Sequence, residues 1–186
     1  RGSEDDITVQ LLRIDGLPQA QPLLGLRQEL ALPPVLTERM SFEGFRVLRE
    51  LHVSDRSHVH LAVDEQTGQP LVLKLPSVAL RDDTAYLERF VLEEWVAQRL
   101  HNPHVLRPYA TQRPRTHLYV AMEYIEGQTL ARWMMDHPAP DLDSVRSLAA
   151  QIAKGLQAFH NKEMLHQDLR PENVMIDRGG TAKIID

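Results

Sequence analysis

The sequence predicts an α+β fold, with an antiparallel sheet of five strands and one helix followed by a mainly helical part. Short runs of alternating apolar and polar residues recur between residues 45 and 122, and one helical pattern interrupts them. After Gly127 the apolar residues take the i, i+3, i+4 spacing of amphipathic helices. A chain of 186 residues has room for one such domain or for one and a half.

The predicted strands are bounded by turn-forming residues, such as the E-Q-T-G that separates the second run from the third. Asp82 or Asp83 is suited to cap a helix that extends to about residue 100, with Leu87 and Phe90 on its apolar side. The five predicted strands cover residues 45–51, 59–64, 70–75, 105–111 and 117–122.

The helical part contains two predicted helices and a hairpin. The first helix covers residues 130–135 and the second about residues 144–160. A β-hairpin is predicted from residues 174–176 and 182–185, around a D-R-G-G turn. The apolar face of the second helix consists of Val145, Leu148, Ile152, Leu156 and Phe159.

The first forty residues show a different pattern. Residues 7–14 alternate as one strand after an acidic cluster at residues 4–6. Residues 16–41 hold four of the twelve prolines and no sustained period, which is typical of a linker with at most one short helix near residues 26–32.

Composition excludes several classes of function. The 21 basic and 26 acidic residues give a net charge of −5, which provides no basic surface for nucleic acid or an anionic membrane. The absence of cysteine excludes disulfides and thiolate chemistry, and no apolar run is long enough to span a bilayer. We therefore expect a soluble, cytoplasmic segment, with any membrane anchor outside it. The sequence gives no indication of an oligomeric state.

The most informative motif is H-Q-D-L-R-P-E-N at residues 166–173, followed by A-K-I-I-D at residues 182–186. It resembles the catalytic loop and the metal-binding aspartate of protein kinases. The resemblance implies that Asp168 orients the hydroxyl of the substrate, and that Asn173 and Asp186 bind Mg²⁺, with Mn²⁺ as an alternative. Arg170 stands where serine/threonine kinases commonly have Lys, and the resemblance implies a position near the γ-phosphate of ATP.

Two further motifs resemble the same family. Lys74, in L-V-L-K, resembles the lysine that contacts the α- and β-phosphates. The phrase L-H-N-P-H-V-L resembles the junction after kinase helix C, and counting back from it selects Glu93 over Glu94 as the partner of Lys74. The resemblance covers residues 45–186.

The resemblance also implies an ATP pocket. Residues 118–126, L-Y-V-A-M-E-Y-I-E, resemble the strand and hinge that join the two kinase lobes. Backbone groups of Glu123 and Ile125 would bind the adenine edge. The side chains that would line the pocket are Leu51, Val59, Val72, Met122 as the gatekeeper, and Met175.

The chain departs from the family in the nucleotide loop. His52, Ser54 and Ser57 stand at the three positions of G-x-G-x-x-G, and none of the nine glycines lies between Gly44 and Gly68. Because glycine lets backbone N–H groups approach phosphate closely, this loop predicts weaker nucleotide binding. Gln167 replaces the arginine of H-R-D, and we expect activity that does not depend on a phosphorylated activation loop.

The start of the chain resembles a second family. G-S-E-D-D-I-T-V-Q-L at residues 2–11 is similar to the end of metal-dependent (PPM-type) serine/threonine phosphatases, in which Asp5 would bind a Mn²⁺ or Mg²⁺ ion. An acidic tail is the alternative. Since such phosphatases are fused ahead of kinases in bacteria, we expect the end of a phosphatase at residues 1–15, a linker at 16–43, a kinase small lobe at 44–123, and the hinge with a partial large lobe at 124–186.

The leading functional hypothesis is an ATP-dependent protein serine/threonine kinase acting on protein substrates. Two alternatives stay open: a pseudokinase scaffold, and a small-molecule kinase of the aminoglycoside phosphotransferase type, whose loop resembles H-G-D-L-x-x-x-N. The chain ends where the Phe and Gly of D-F-G would follow Asp186. We therefore expect a truncated kinase domain that exposes the apolar face of its last helix and is inactive by itself.

Overall fold

The computed structural model describes residues 30–186. The strand predicted at residues 7–14, Asp5 and most of the short helix predicted near 26–32 lie outside this part. In the described part the strands are β1 (Ser41–Phe42), β2 (Phe45–Val53), β3 (Ser57–Asp64), β4 (Pro70–Pro76), β5 (Val120–Glu123), β6 (Gly127–Thr129), β7 (Val174–Asp177) and β8 (Ala182–Ile184). The α-helices are α1 (Thr84–Ala97), α2 (Leu130–Asp136) and α3 (Leu142–His160).

The first five strands form one antiparallel sheet in the order β1-β2-β3-β4-β5. The alternation that predicted the strands also separates the two faces of the sheet. In β4 the fully buried Leu71 and Leu73 alternate with the partly exposed Val72 and Lys74. The buried set forms the core on one face, so Lys74 points to the opposite face.

One predicted strand is wrong. Residues 105–111 form only isolated bridges, from Val105 to Ile184 and from Pro108 to Met122. Leu106 N–H donates to the Ile184 carbonyl of β8 (2.8 Å), whereas Tyr109 N–H donates to the Ala121 carbonyl of β5 (2.9 Å). The segment therefore passes between the two sheets without forming a ladder, and the fifth strand of the first sheet is β1.

Helix α1 starts at the predicted cap. The Asp83 side chain accepts a hydrogen bond from the Tyr86 N–H (3.0 Å), as an N-cap aspartate does. Leu87, Phe90 and Val91 pack against Leu118 and Val120 of the segment that leads into β5. This contact fixes α1 on the face of the sheet that carries Lys74.

Residues 36–42 lie against the opposite face, whereas Leu30 packs against the α1 cluster. Ala31 forms a parallel bridge with His117, and its carbonyl accepts from the Leu118 N–H (2.8 Å). Leu36 and Phe42 are buried in the same core as Leu73. The described end of the predicted linker thus contributes side chains to the hydrophobic core.

The second part of the fold consists of α2, α3 and a three-stranded sheet in the order β6-β7-β8. Gly127 of β6 is required there, because a Cβ atom at this position would lie 1.9 Å from the Ile176 carbonyl oxygen. Helix α3 packs on β8, and of the five residues of its predicted apolar face Val145 is exposed and the other four are partly exposed. Within residues 30–186, no helix has both the length and the apolar composition of a membrane span.

Candidate active site

Three charged side chains from three separate elements meet between the two parts of the fold. Lys74 Nζ of β4 lies 2.8 Å from Glu93 Oε2 of α1 and 2.6 Å from Asp186 Oδ1 beyond β8. Glu94 instead pairs with Arg115 (2.9 Å). Of the two adjacent glutamates, the structure therefore places the one selected by motif spacing next to the lysine.

Burial and charge act in opposite directions on this lysine. The Lys74 side chain is only 14% exposed, and burial alone would lower its pKa. The carboxylates of Asp186 and Glu93 outweigh burial and raise the pKa above its usual value. Lys74 is therefore a fixed cation at neutral pH, which is the state that a phosphate-binding lysine requires.

The loop at residues 166–173 brings Asp168 and Asn173 together. Asn173 is buried, and its Nδ2 donates to the backbone carbonyl of Asp168 (2.9 Å) and to Asp168 Oδ2 (3.1 Å). The Asn173 carbonyl in turn accepts from the Ile185 N–H (3.0 Å), which attaches the loop to the residue before Asp186. Arg170 Nε lies 3.6 Å from Asp168 Oδ2, and both side chains are exposed.

These residues fit a magnesium ion. Asp186 supplies a carboxylate, and Asn173 donates through its amide nitrogen, which leaves its side-chain oxygen for a cation. Carboxylate and amide oxygens are the ligands that Mg²⁺ prefers, and in kinases it retains waters and phosphate oxygens as well. The Asp186 carboxylate is about half exposed and the Asn173 amide is buried, so these two oxygen ligands have one side open to solvent and one side fixed by the protein.

Three of the side chains expected to line an ATP pocket, those of Val59, Val72 and Met122, share the Lys74 face of the sheet. Val59 is the register partner of Lys74, and Val72 is the partner of Met122. Met122 also packs against the α1 cluster. Leu51 lies in β2 and Met175 in β7, and both are partly exposed.

The hinge contains an ion-pair network that the motifs did not reveal. Glu123 accepts from Lys183 Nζ of β8 (2.7 Å) and from the guanidinium of Arg107 (3.2 Å). Burial alone would raise the pKa of Glu123, but these two cations lower it below its ordinary value. The side chain expected beside the adenine edge thus joins β5 to β8. The sequence signal was a lysine in an otherwise apolar strand.

The nucleotide loop closes on itself. Ser54 Oγ accepts from the N–H groups of Ser57 (3.1 Å) and Arg56 (3.3 Å). The Tyr86 hydroxyl of α1 donates to the Arg56 carbonyl, and the Ser77 N–H also donates to that carbonyl (3.0 Å). Two backbone donors that would otherwise be available to phosphate are therefore bonded to a serine, and the loop tip is tethered to α1.

His166, the first residue of the loop at residues 166–173, is partly buried. Its ring packs edge-on against Phe159 (5.3 Å between centroids), and burial lowers its pKa. Gln167 follows with a φ of 64°. A left-handed conformation at a residue other than glycine, directly before Asp168, is a local strain of the kind found at active sites.

A lysine–glutamate pair, a D-x-x-x-x-N loop and a second aspartate, held between a five-stranded sheet and a mainly helical part, are the arrangement that is typical of protein kinase domains. The family model of the protein kinase domain matches residues 45–186. This is most of the chain, and the chain belongs to the protein kinase domain family.

The chain is similar to several curated proteins and solved structures. It is 32% identical over 145 residues to the serine/threonine-protein kinase pkn2 of Myxococcus xanthus, covering 76% of this chain and 17% of that protein. It is 25% identical over 142 residues to PrkC of Bacillus subtilis, covering 76% of this chain and 22% of PrkC. The Mycobacterium tuberculosis PknI kinase domain matches with a TM-score of 0.65 at 28% identity, over 82% of this chain and 61% of that one. This chain thus spans about a fifth of the curated relatives named here.

Proposed function

We propose that this chain carries the nucleotide-binding and catalytic-loop portion of an ATP-dependent protein serine/threonine kinase. The observation that supports this most strongly is the position of Lys74 Nζ, 2.8 Å from Glu93 and 2.6 Å from Asp186. These contacts join three segments separated by up to 112 residues at one cation. A phosphate-binding lysine in this environment keeps its charge and its direction.

Each charged residue takes a distinct role in this proposal. Lys74 binds the α- and β-phosphates, and Glu93 holds it in position. Asp168 orients the attacking hydroxyl and accepts its proton, and its contact with Asn173 fixes the carboxylate. The guanidinium of Arg170, adjacent to Asp168, neutralises charge on the transferred phosphoryl group.

Asn173 and Asp186 would hold Mg²⁺, or Mn²⁺ in its place, and Asp186 would do so while its Oδ1 remains close to Lys74. The metal, when bound, supplies neutralisation of the phosphate charge. The adenine ring would lie between Val59 and Val72 of the first sheet and Met175 of the second. Its edge would face the backbone of Glu123 and Ile125. Leu51 and Met122 would close the remaining sides of the pocket.

The acceptor is proposed to be a serine or threonine of a cytoplasmic protein. The relatives named as serine/threonine-protein kinases support this assignment. Transfer by the purified full-length protein from radiolabelled ATP to a generic basic protein, with phosphoamino-acid analysis, tests it. Phosphoserine or phosphothreonine is the expected product. Transfer to aminoglycosides but not to protein would support the small-molecule alternative and contradict the proposal.

We further propose that transfer requires kinase-domain sequence beyond these 186 residues. The support is that this chain covers only 61% of the solved PknI kinase-domain chain, and that Leu142 and Val145 of α3 are exposed. The 186-residue chain and the full-length protein would be assayed side by side at equal concentration. Equal specific activity in the two would contradict this.

The resemblance of residues 2–11 supports a fused metal-dependent phosphatase, with Asp5 as a ligand of its metal ion. Hydrolysis of a phosphothreonine peptide by the full-length protein with Mn²⁺, lost in Asp5→Asn and retained in Lys74→Met, is the expected result. No hydrolysis by the folded full-length protein would contradict the fusion.

The closed nucleotide loop favours one competing function, a pseudokinase scaffold. Ser54 occupies two backbone donors of the loop, and a protein that binds nucleotide poorly would not turn it over. Binding of Mg·ATP to the full-length protein without any transfer would favour the scaffold.

A further inference from the structure

A second cluster of potential ligands lies on the face of the sheet opposite to Lys74. His60 of β3 is the register partner of Glu50 of β2, and His58 precedes His60 by two residues. Alternate residues of a strand point to the same side, so all three side chains share one face. Val59, between the two histidines, faces the proposed ATP pocket. The cluster is therefore separate from the site for nucleotide and magnesium.

The three side chains approach one another closely. One ligand atom from each of Glu50, His58 and His60 lies within 4.8 Å of the other two. Glu50 Oε2 is 3.7 Å from His58 Nδ1, and the two imidazole rings are nearly parallel, with 9° between their planes. Ligands bound tetrahedrally at about 2.0–2.2 Å stand roughly 3.4 Å apart, so the carboxylate and the first imidazole are close to that spacing.

His60 is the rigid member of the cluster. It is 3% exposed, and its Nδ1 has no hydrogen-bond partner among residues 30–186. A buried nitrogen without a partner is costly, and a metal bond would satisfy it. Burial lowers the pKa of His60, although the charge of Glu50 acts in the opposite direction. The lowered pKa favours the neutral imidazole, which is the form that binds metals.

The other two members are able to adjust. The side chains of His58 and Glu50 are 30% and 51% exposed, so small rotations can bring their ligand atoms around a common centre. A cavity of about 20 Å³ is lined by both imidazoles and by Pro34 and Leu36 of the segment that precedes β1. A space of this size holds one water molecule, which is the usual fourth ligand when a protein supplies three.

We propose that Glu50, His58 and His60 form a binding site for a divalent transition-metal ion, with Zn²⁺ as the preferred ion. Two imidazoles and one carboxylate are a ligand set that suits zinc, whereas Mg²⁺ takes oxygen ligands. A bound ion would join β2 to β3 next to the register shift between Glu50 and His52. It would stabilise the hairpin whose turn is the nucleotide loop.

The test is a zinc titration of the metal-free full-length protein against a chromophoric chelator, in millimolar Mg²⁺ to occupy the oxygen sites. The expected result is that His58→Asn and Glu50→Gln each lose one equivalent of zinc, or bind it at least about tenfold more weakly. His52→Asn is the matched control, since His52 is the register partner of Val59 on the other face. X-ray absorption of the zinc-loaded protein should then show two imidazole ligands.

The comparison between variants separates this site from any other zinc-binding group in the protein. Circular dichroism of the metal-free variants checks that each is folded, and the two exposed positions are used because His60→Asn alters the core. Equal zinc stoichiometry and affinity in the wild type and in both variants would overturn the proposal. So would an equal loss in His52→Asn. Neither outcome bears on the kinase assignment, which is tested with Mg²⁺ and ATP.

Discussion

Replacement of Ser54 by glycine should lower the stability of the protein and raise its affinity for nucleotide. The Ser54 hydroxyl accepts from the N–H groups of Ser57 and Arg56 at 3.1 and 3.3 Å. These are long, partly exposed hydrogen bonds, and their combined loss costs about 1 kcal/mol. Glycine adds about 0.5–1 kcal/mol of backbone entropy. The expected fall in the free energy of unfolding is therefore about 1.5–2 kcal/mol.

The same change releases two donors at the tip of the loop. A hydrogen bond from a backbone N–H to a charged phosphate contributes about 1.5–3 kcal/mol, and ordering the freed loop offsets part of it. A net gain of about 0.7–1.4 kcal/mol corresponds to a dissociation constant for Mg·ATP that is about three- to tenfold lower.

Calorimetric titration of the full-length protein with Mg·ATP would measure this affinity, with denaturant unfolding as the stability assay. Ser54→Ala removes the hydroxyl without adding flexibility and should also bind more tightly. Asp55→Gly and Asp55→Ala both lack the carboxylate and keep the Ser54 hydroxyl, so the added flexibility of the glycine variant should leave their affinities equal. Weaker or unchanged binding in Ser54→Gly would refute the argument that the serine competes with phosphate.

Three further predictions concern single side chains. Lys74→Met should change the free energy of unfolding by no more than about 1 kcal/mol, because both partner carboxylates are more than half exposed. The same variant should lower phosphoryl transfer at least about 10²-fold. An inactive variant that is also unfolded on circular dichroism would contradict the small effect on stability. Gly127→Ala should destabilise the protein by about 3 kcal/mol or more in denaturant unfolding, because its Cβ would overlap the Ile176 carbonyl. Gly179→Ala is the control, since its Cβ would meet only the Asp177 side chain at 3.3 Å. An equal loss of stability in both variants would show that the overlap is not the cause. Burial alone would raise the pKa of Asp64, but hydrogen bonds from Gln66, Arg113, Thr67 and Tyr109 lower it. A carboxyl group with a lowered folded pKa stabilises the protein above its unfolded pKa of about 3.9. This stabilisation is lost as the pH falls through the folded pKa. Unfolding measured between pH 6 and 3 should therefore show less acid sensitivity in Asp64→Asn than in the wild type, and identical slopes would refute that assignment.

The sequence predicted the elements whose signals are local. Alternation in residues 70–75 identified β4, and the pair Asp82 and Asp83 predicted the start of α1 to within one residue. Motif spacing also selected Glu93, since one helix and one junction determine which glutamate lies inward. These signals depend on neighbouring residues and on a distance along one element.

The features that sequence reasoning missed depend on distant partners. The segment at residues 105–111 alternates like a strand, but its backbone hydrogen bonds are divided between β8 and β5, so it forms bridges and no ladder. Strand β1 is two residues long and follows a proline-bearing stretch without a period. The contact of Glu123 with Lys183 joins side chains 60 residues apart, and its sequence signal was the lysine in an otherwise apolar strand. Each arises only when the chain has folded.

Asp168→Asn in the full-length protein tests the central claim most directly. The asparagine keeps the shape of the side chain but cannot accept the proton of the acceptor hydroxyl, and a positioned base contributes about 10²–10⁴-fold to transfer. We predict that Mg·ATP binding remains within about threefold of the wild type, while transfer of the radiolabelled γ-phosphate to serine or threonine falls by that factor. Undiminished transfer in the folded variant would contradict the assignment of this loop as the catalytic centre.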